Sequence, residues 1–442
     1  MQIAFLTLFL GLVTGPQTVE LTAGPGTAAV ELVLDGSSVT MKLGQPPWSA
    51  TIDLGREILP HHLEARALAA DGSELCRAEQ WLNLPRPPAE VEIVLEGSAA
   101  ARTRTARLAW DSLTGEAPSE MHLSLDGVPL ALDAQARAPL VIPRAGNAHV
   151  LSAELHFQNG AEARKDVVLT GDYDGDVATE LTAVPVRTAG KPGAALAERD
   201  LQDRFLADGH PAKVTAVERE RAEVFLVRAA GAETALFGNA TRVNAAAFEF
   251  GHFKPDKQLL FHFVSPVAKH SYGTGVASEV FDISQGVSLP GFDMLHLLLA
   301  IRFHLVGRPQ LADAVAVAGL RALARQTPRA VVLVAGRGDG GADASLFDPA
   351  TVRGYLAAIG VPFFVWSIGN YGLRQEAWGK VEDISTPWGL RHAYERLEKE
   401  VLAQQIVWLQ GRHLPQSITL ARAGAGAGPG KSIELVSTPR AP

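Results

Sequence analysis

The hydrophobic period changes once along this chain, and that change limits what it can fold into. Through residue 218, apolar and polar residues alternate in short runs; from residue 219, apolar runs are separated by helical stretches. A period of two builds half-buried strands, whereas strands alternating with helices build a mostly parallel sheet covered by those helices. The expected fold class is therefore multidomain, with β modules first and an α/β doubly wound domain after them.

In the β half, "AAVELVLDGSSVTMKL" turns at Asp35-Gly36, a strong hairpin pair between alternating runs. "PPWSATIDLG" and "HHLEARALAADGSEL" repeat the pattern, and the proline-rich "WLNLPRPP" marks a boundary. A second round opens with "AEVEIVLEG", which echoes "AVELVLDG". It continues through "EMHLSLDGVPLAL", with Met121, Leu123 and Leu125 on one face and His122 and Ser124 on the other. Short strands at this spacing predict two Ig-like β-sandwiches, over 17–88 and 89–172, followed by a β lead-in over 173–218. In "GDYDGDVATE", Asp172, Asp174 and Asp176 alternate, but the sixth and twelfth positions of a calcium loop would be Val177 and Ala183. Without the glycine and the bidentate glutamate, the segment reads as a solvated turn.

The opening "MQIAFLTLFLGLVTGPQ" is apolar, and no Lys or Arg precedes Lys42. Its length and small-residue close predict an export segment over 1–16, hence a periplasmic or extracellular location; the alternative is a first strand. No other segment reaches the roughly 18–20 apolar residues of a membrane span. "FDMLHLLLAIRFHLVG" is shorter and carries His296, Arg302 and His304.

The α/β half, 219–411, reads strand in "AEVFLVRAA" and "KQLLFHFVS", helix in "ATRVNAAAFEFGHF" and "LADAVAVAGLRALARQ", and strand again in "RAVVLVA". In "FDPATVRGYLAAIG", Asp348 is the expected N-cap, Pro349 takes the first helical position and Gly360 ends the helix. "VPFFVWSIG" and the helix "GLRHAYERLEKEVLAQQ" follow, then strands and a glycine-rich loop over 412–442.

Of the 442 residues, 47% are hydrophobic, enough for several cores. Forty basic residues against 48 acidic ones, interspersed, give −8 and no nucleic-acid footprint. Cys76 is the single cysteine, which excludes intramolecular disulfides and cysteine metal clusters.

The α/β half resembles a von Willebrand factor A domain. The whole chain resembles bacterial, acidobacterial-type exported proteins in which two Ig-like modules precede such a domain. The resemblance rests on "VELVLDG…QPPWSATIDLG…LEARALAADG…WLNLPRPP", on "ATELTAVPVRTAGKPGAALAERDLQDRFLADGHPAKVTAVE", and on "RAVVLVAGRGDGG…TVRGYLAAIGVPFFVWSIG…LRHAYERLEKEVLAQQIVWLQG". It implies a metal-ion-dependent adhesion site of hard oxygens around Mg²⁺. This chain departs from that pattern: Arg228, Ala230 and Ala232 stand at the first motif, Pro309 near the threonine's place and Gly336 at the third-loop aspartate. Such side chains offer no oxygen, so the site reads as degenerate, and shifting the register recovers only Asp339.

"GRGDGG" contains Gly336, Gly338 and Gly341 in a G-x-G-x-x-G spacing. A dinucleotide site needs its helix to begin at those glycines, whereas the next helix begins near Asp348. The Arg337-Gly338-Asp339 tripeptide is too short to specify a ligand. No G-x-S-x-G, H-E-x-x-H or Walker loop occurs. His252, His262 and His270 fall on different elements, and Cys76 has no base nearby in sequence. The expectation is a non-catalytic, metal-independent protein-interaction or scaffold protein of the bacterial cell envelope, with no cofactor, a protein partner and no nucleic acid. Its partner-binding rim would be Arg337, Asp339, Tyr371, Trp378 and Trp388. The alternatives are a divalent-metal-dependent adhesin, or an enzyme whose site assembles only in three dimensions.

Overall fold

The computed structural model describes residues 3–7, 9, 11–24, 26–43, 48–86, 89–96, 103–112, 117–125, 128–141, 149–158, 162–170, 173–175, 181–188, 196, 198–219, 221–229, 259–269, 275–288, 307–336, 343–368, 375–421 and 433–436. The chain divides into two compact units. One is Arg86–Glu180; the other joins Met1–Pro85 to Leu181–Pro442.

The larger unit opens with β1 (Ile3–Phe5), β2 (Pro16–Ala23), β3 (Ala29–Leu34), β4 (Ser37–Leu43), β5 (Trp48–Asp53), β6 (His61–Leu68) and β7 (Glu74–Leu82). They form antiparallel sheets ordered β1-β2-β5 and β4-β3-β6-β7. Val19, Leu21, Trp48 and Ile52 of one sheet share a core with Val30, Leu32, Leu63 and Ala65 of the other, which makes a sandwich. The β3–β4 hairpin closes through Asp35 and Gly36, both at positive φ (50° and 79°), as the two-residue turn requires.

Asp35 also latches the turn to β6. Its carboxylate lies 2.7 Å from His61 Nδ1 and accepts the His62 backbone N–H at 2.8 Å. Burial alone would raise this carboxyl, but the His61 hydrogen bond, the His62 N–H and the neighbouring imidazoles together hold it below the usual aspartate value. A depressed folded pKa contributes stability above the usual carboxylate range, and that stability is lost as pH falls through the folded value. Asp35→Asn should therefore lower the melting temperature at neutral pH, and the gap to wild type should close as pH falls below the usual aspartate range. A gap independent of pH would contradict this role.

The apolar opening, read above as an export segment, is built into this sandwich. β1 pairs with β2 from Ile3↔Ala23 to Phe5↔Leu21. Phe9, Leu12 and Val13 are buried, Leu12 completely. Leu12 exchanges backbone hydrogen bonds with Val276 at 2.9 and 3.1 Å. Gly11 permits this approach, since a Cβ there would sit 2.7 Å from the Val276 carbonyl carbon.

The smaller unit holds β8 (Ala89–Glu96), β9 (Thr103–Ser112), β10 (Glu120–Leu125), β11 (Val128–Leu130), β12 (Arg137–Val141), β13 (His149–His156), β14 (Glu162–Thr170) and β15 (Tyr173–Gly175). Its sheets run β12-β9-β8 and β11-β10-β13-β14-β15 around Leu108, Leu123, Leu140, Leu151 and Leu155. The order repeats the first sandwich: β8-β9-β12 correspond to β1-β2-β5, and β11-β10-β13-β14 to β4-β3-β6-β7. In both modules the chain distributes its strands as A, B, E against C′, C, F, G, an immunoglobulin-like arrangement. The echo of "AVELVLDG" in "AEVEIVLEG" thus joins strands with different roles, β3 and β8. The counterpart of β3 is β10, which also runs into Asp-Gly. Asp174 lies in β15, while Asp172 and Asp176 fall outside the described residues.

The chain returns to the larger unit with β16 (Leu181–Thr188), β17 (Phe205–Ala207), β18 (His210–Ala212) and β19 (Val214–Glu218). The α/β domain follows: β20 (Ala222–Arg228), β21 (Leu259–Ala268), β22 (Phe281–Ile283), α1 (Leu311–Arg325), β23 (Arg329–Ala335), α2 (Pro349–Ala358), β24 (Phe363–Ser367), α3 (Gln375–Trp378), β25 (Val381–Asp383) and α4 (Pro387–Leu402). The last strands are β26 (Gln404–Gln410), β27 (Ile418–Leu420) and β28 (Ile433–Leu435). Sheets β19-β26-β16-β28 and β18-β17-β27 enclose Val184, Val186, Phe205, Val214, Val407, Leu409 and Ile418. The expected lead-in over 173–218 begins with β15 of the smaller unit, and its remainder from Leu181 forms one β module with the C-terminal strands over 412–442. β26, assigned above to 219–411, belongs to that module as well. The α/β domain is inserted between β19 and β26.

The inserted sheet runs β22-β21-β20-β23-β24-β25, parallel except for β22. β23 is buried along its whole length, as expected of a continuous apolar run in a parallel sheet. α1 packs on β20, β21 and β23 and against α2, and α4 packs on β23 and β25. The helix expected at 240–253 and the segment "FDMLHLLLAIRFHLV" lie outside the described residues.

Candidate functional site

A parallel sheet concentrates its strand ends at one edge. Numbered in chain order, these strands lie 3-2-1-4-5-6, so successive connections leave β20 in opposite directions. The gap between the carboxyl ends of β20 and β23 is the topological switch point, where open α/β sheets bind ligands. Arg228 ends β20 there, and Gly336 follows β23.

Arg228 is buried and paired in register with Val334. The N-terminus of α1 faces the same edge, and its N–H groups are already taken. Leu311 N–H donates to Asp343 Oδ1 at 2.9 Å, and Ala312 N–H to Ser345 Oγ at 3.0 Å. In return, fully buried Asp313 accepts the N–H groups of Leu346 (2.7 Å) and Phe347 (3.0 Å). Ala344 N–H bonds the carbonyl of Pro309. The loop after β23 therefore closes the helix end that could otherwise bind an anion. Sequence reading passed over Asp313; its only mark there is a lone acid in the apolar first turn of "LADAVAVA".

Among the described residues, two large apolar side chains remain exposed at this edge. Leu346, in the loop after β23, is 49% exposed, and Trp388, just after the end of β25, is 70% exposed. Thr386 caps α4 by accepting Gly389 N–H at 3.0 Å, which fixes the turn carrying Trp388. The Trp388 ring rests on His392 one turn later, with centroids 3.9 Å apart.

Trp378 does not belong with them. It is 5% exposed, lies in the α/β core and sits 5.9 Å from Phe363, ring to ring. It holds α3 to the sheet and is removed from the expected rim. Arg337, Asp339 and Tyr371 lie outside the described residues, as do Ala230 and Ala232. Trp378→Ala should cost about 3–5 kcal/mol of stability, whereas Trp388→Ala should leave the melting temperature nearly unchanged. Equal effects in thermal unfolding would overturn this division.

Among the described residues, no group of three or more His, Cys, Asp or Glu is placed to hold a metal ion. His262 is a core residue, stacked on Phe225, with Nε2 2.7 Å from Glu223 and Nδ1 3.2 Å from the Ser284 carbonyl. His252 and His270 lie outside the described residues. Burial pushes the Cys76 thiol up, away from the reactive thiolate.

No protein-family model matches the chain, and no curated protein does. Among solved structures, it is similar to the fibronectin(III)-like modules of Clostridium thermocellum CbhA, at 13% identity and TM-score 0.16 over 38% of this chain and 93% of that one. It is also similar to the central fibronectin-III array of RIM-binding protein, at 11% identity and TM-score 0.21 over 44% and 85%. A third likeness is to Sidekick-1 immunoglobulin domains 1–4, at 14% identity and TM-score 0.14 over 38% and 48%. The neighbours are fibronectin-III and immunoglobulin-like β domains, and likenesses of this size carry no argument about activity.

Proposed function

We propose that this chain is a non-catalytic protein-interaction or scaffold protein. In this reading a von Willebrand factor A-like domain, presented by Ig-like β modules, docks a protein partner at its carboxyl edge without a metal ion. The observation that carries it is the exposed Trp388, held on a capped helix at the carboxyl edge where such sheets bind ligands, together with the α1 N-terminus on that edge being filled by Asp343 and Ser345. Aromatic side chains on a fixed scaffold bury much area at little entropic cost, which suits them as anchors. The sheet order with one antiparallel strand and the insertion between β19 and β26 support the A-type assignment. Placement in a bacterial cell envelope rests on the resemblance and on the apolar opening of the chain.

Titration with Mg²⁺ or Mn²⁺ should give neither heat nor a melting shift. A shift of several degrees that disappears in Asp339→Ala would replace this reading with the metal-dependent adhesin.

A further inference from the structure

Arg329, the first residue of β23, is 0% exposed, and its Nε, Nη1 and Nη2 have no hydrogen-bond partner. Its backbone is engaged separately. Buried Gln404, the first residue of β26, accepts Arg329 N–H at 2.9 Å and donates to the Arg329 carbonyl at 3.0 Å. This clamp fixes the strand end where the α/β domain meets the flanking β module.

The acid opposite Arg329 in the β20–β23 register is Glu223. Its Oε2 is already engaged by His262 at 2.7 Å and by Arg325 at 3.4 Å. Two residues before Arg329, the buried Thr327 Oγ1 also lacks a partner. The foot of β23 thus holds a positive charge that no acceptor among the described residues reaches within hydrogen-bond distance. Desolvation lowers the guanidinium pKa to about 10, so it stays charged at neutral pH. An unpaired buried charge costs an amount comparable with a domain's entire net stability, and buried donors in native proteins are otherwise satisfied by protein, water or an ion.

We propose that Arg329 binds a small monovalent inorganic anion, chloride in solution, enclosed at the foot of the parallel sheet where Gln404 clamps it to β26. One unopposed positive charge calls for one negative charge. Complete enclosure selects a compact ion, and the apolar strand that follows, Ala330–Val334, favours a weakly hydrated one over phosphate. The bound anion would stabilise the joint between the inserted domain and its β module.

The test is thermal unfolding of the full chain in chloride-free sodium gluconate, with chloride or bromide added at constant ionic strength. Wild type should gain about 4 °C or more and then saturate, because the ion binds the folded state. Arg329→Met, which keeps the length without the charge, should not respond. Crystals soaked in bromide should show an anomalous peak within hydrogen-bond distance of the guanidinium. If the variant fails to fold, the wild-type titration and the bromide peak decide. A wild-type melting temperature indifferent to halide, or density at Arg329 that is water alone, overturns the proposal.

Discussion

A chain lacking residues 1–14 should fail to fold its first sandwich and should lose the cooperative unfolding transition of the larger unit. The deletion removes β1, which in strand order is the A strand of the module. It also exposes the surfaces covered by Ile3, Phe9, Leu12 and Val13, all buried. At about 1.5–3 kcal/mol for each large apolar side chain, the loss approaches 6–12 kcal/mol, roughly the whole net stability of a domain. Leu12 and Ile58 are part of the α/β core, so the damage should not stay within the sandwich. Circular dichroism and calorimetry of the truncated chain check this. A transition at the wild-type temperature would show that the segment is dispensable, as a removable export segment would be.

Asn83→Ala should be the most damaging single substitution in the same region, at about 3–5 kcal/mol. The Asn83 side chain treats the opening segment as a neighbouring strand would. Its Oδ1 accepts Val13 N–H at 2.7 Å, and its Nδ2 donates to Val13 O at 2.9 Å and to Leu59 O at 2.7 Å. The residue sits at φ 57°, where asparagine is accommodated more readily than alanine, which pays about 1–2 kcal/mol there. Its own carbonyl accepts the Tyr355 hydroxyl at 3.0 Å from α2. Burial drives that phenol far above its usual range, so it remains a donor. Asn83→Asp should be nearly as harmful, since it keeps the acceptor for Val13 N–H but sets a second oxygen against two carbonyls. If the aspartate variant melts like wild type, the amide donors contribute nothing.

The local features were legible because local chemistry decides them. Asp35-Gly36 adopts the turn its residue types favour. Asp348 caps α2 by accepting Thr351 N–H at 2.9 Å, with Pro349 first in the helix. What depends on distant residues was not legible. An apolar opening with no alternation looks the same as a buried A strand and as an export segment, and its pairing with β2 depends on residues far along the chain. β16 and β26 pair across the whole inserted domain, Val184 with Val407, which no local period reveals. Trp378 and Trp388 stand ten residues apart among similar neighbours, and packing into the α/β core, with Phe363 among its contacts, buries only the first. Gln404, which holds the backbone of Arg329, lies 75 residues further along the chain.

The central claim is that the carboxyl edge of the inserted sheet binds a protein through Trp388 without a metal. A photo-crosslinking amino acid at position 388 in native cells tests it most directly, with exposed Val128 of the smaller unit as the control position and with EDTA present in one arm. Position 388 should yield a discrete crosslinked protein that is absent from the control and persists in EDTA. The absence of any adduct beyond the control, or an adduct that vanishes with EDTA, would contradict it.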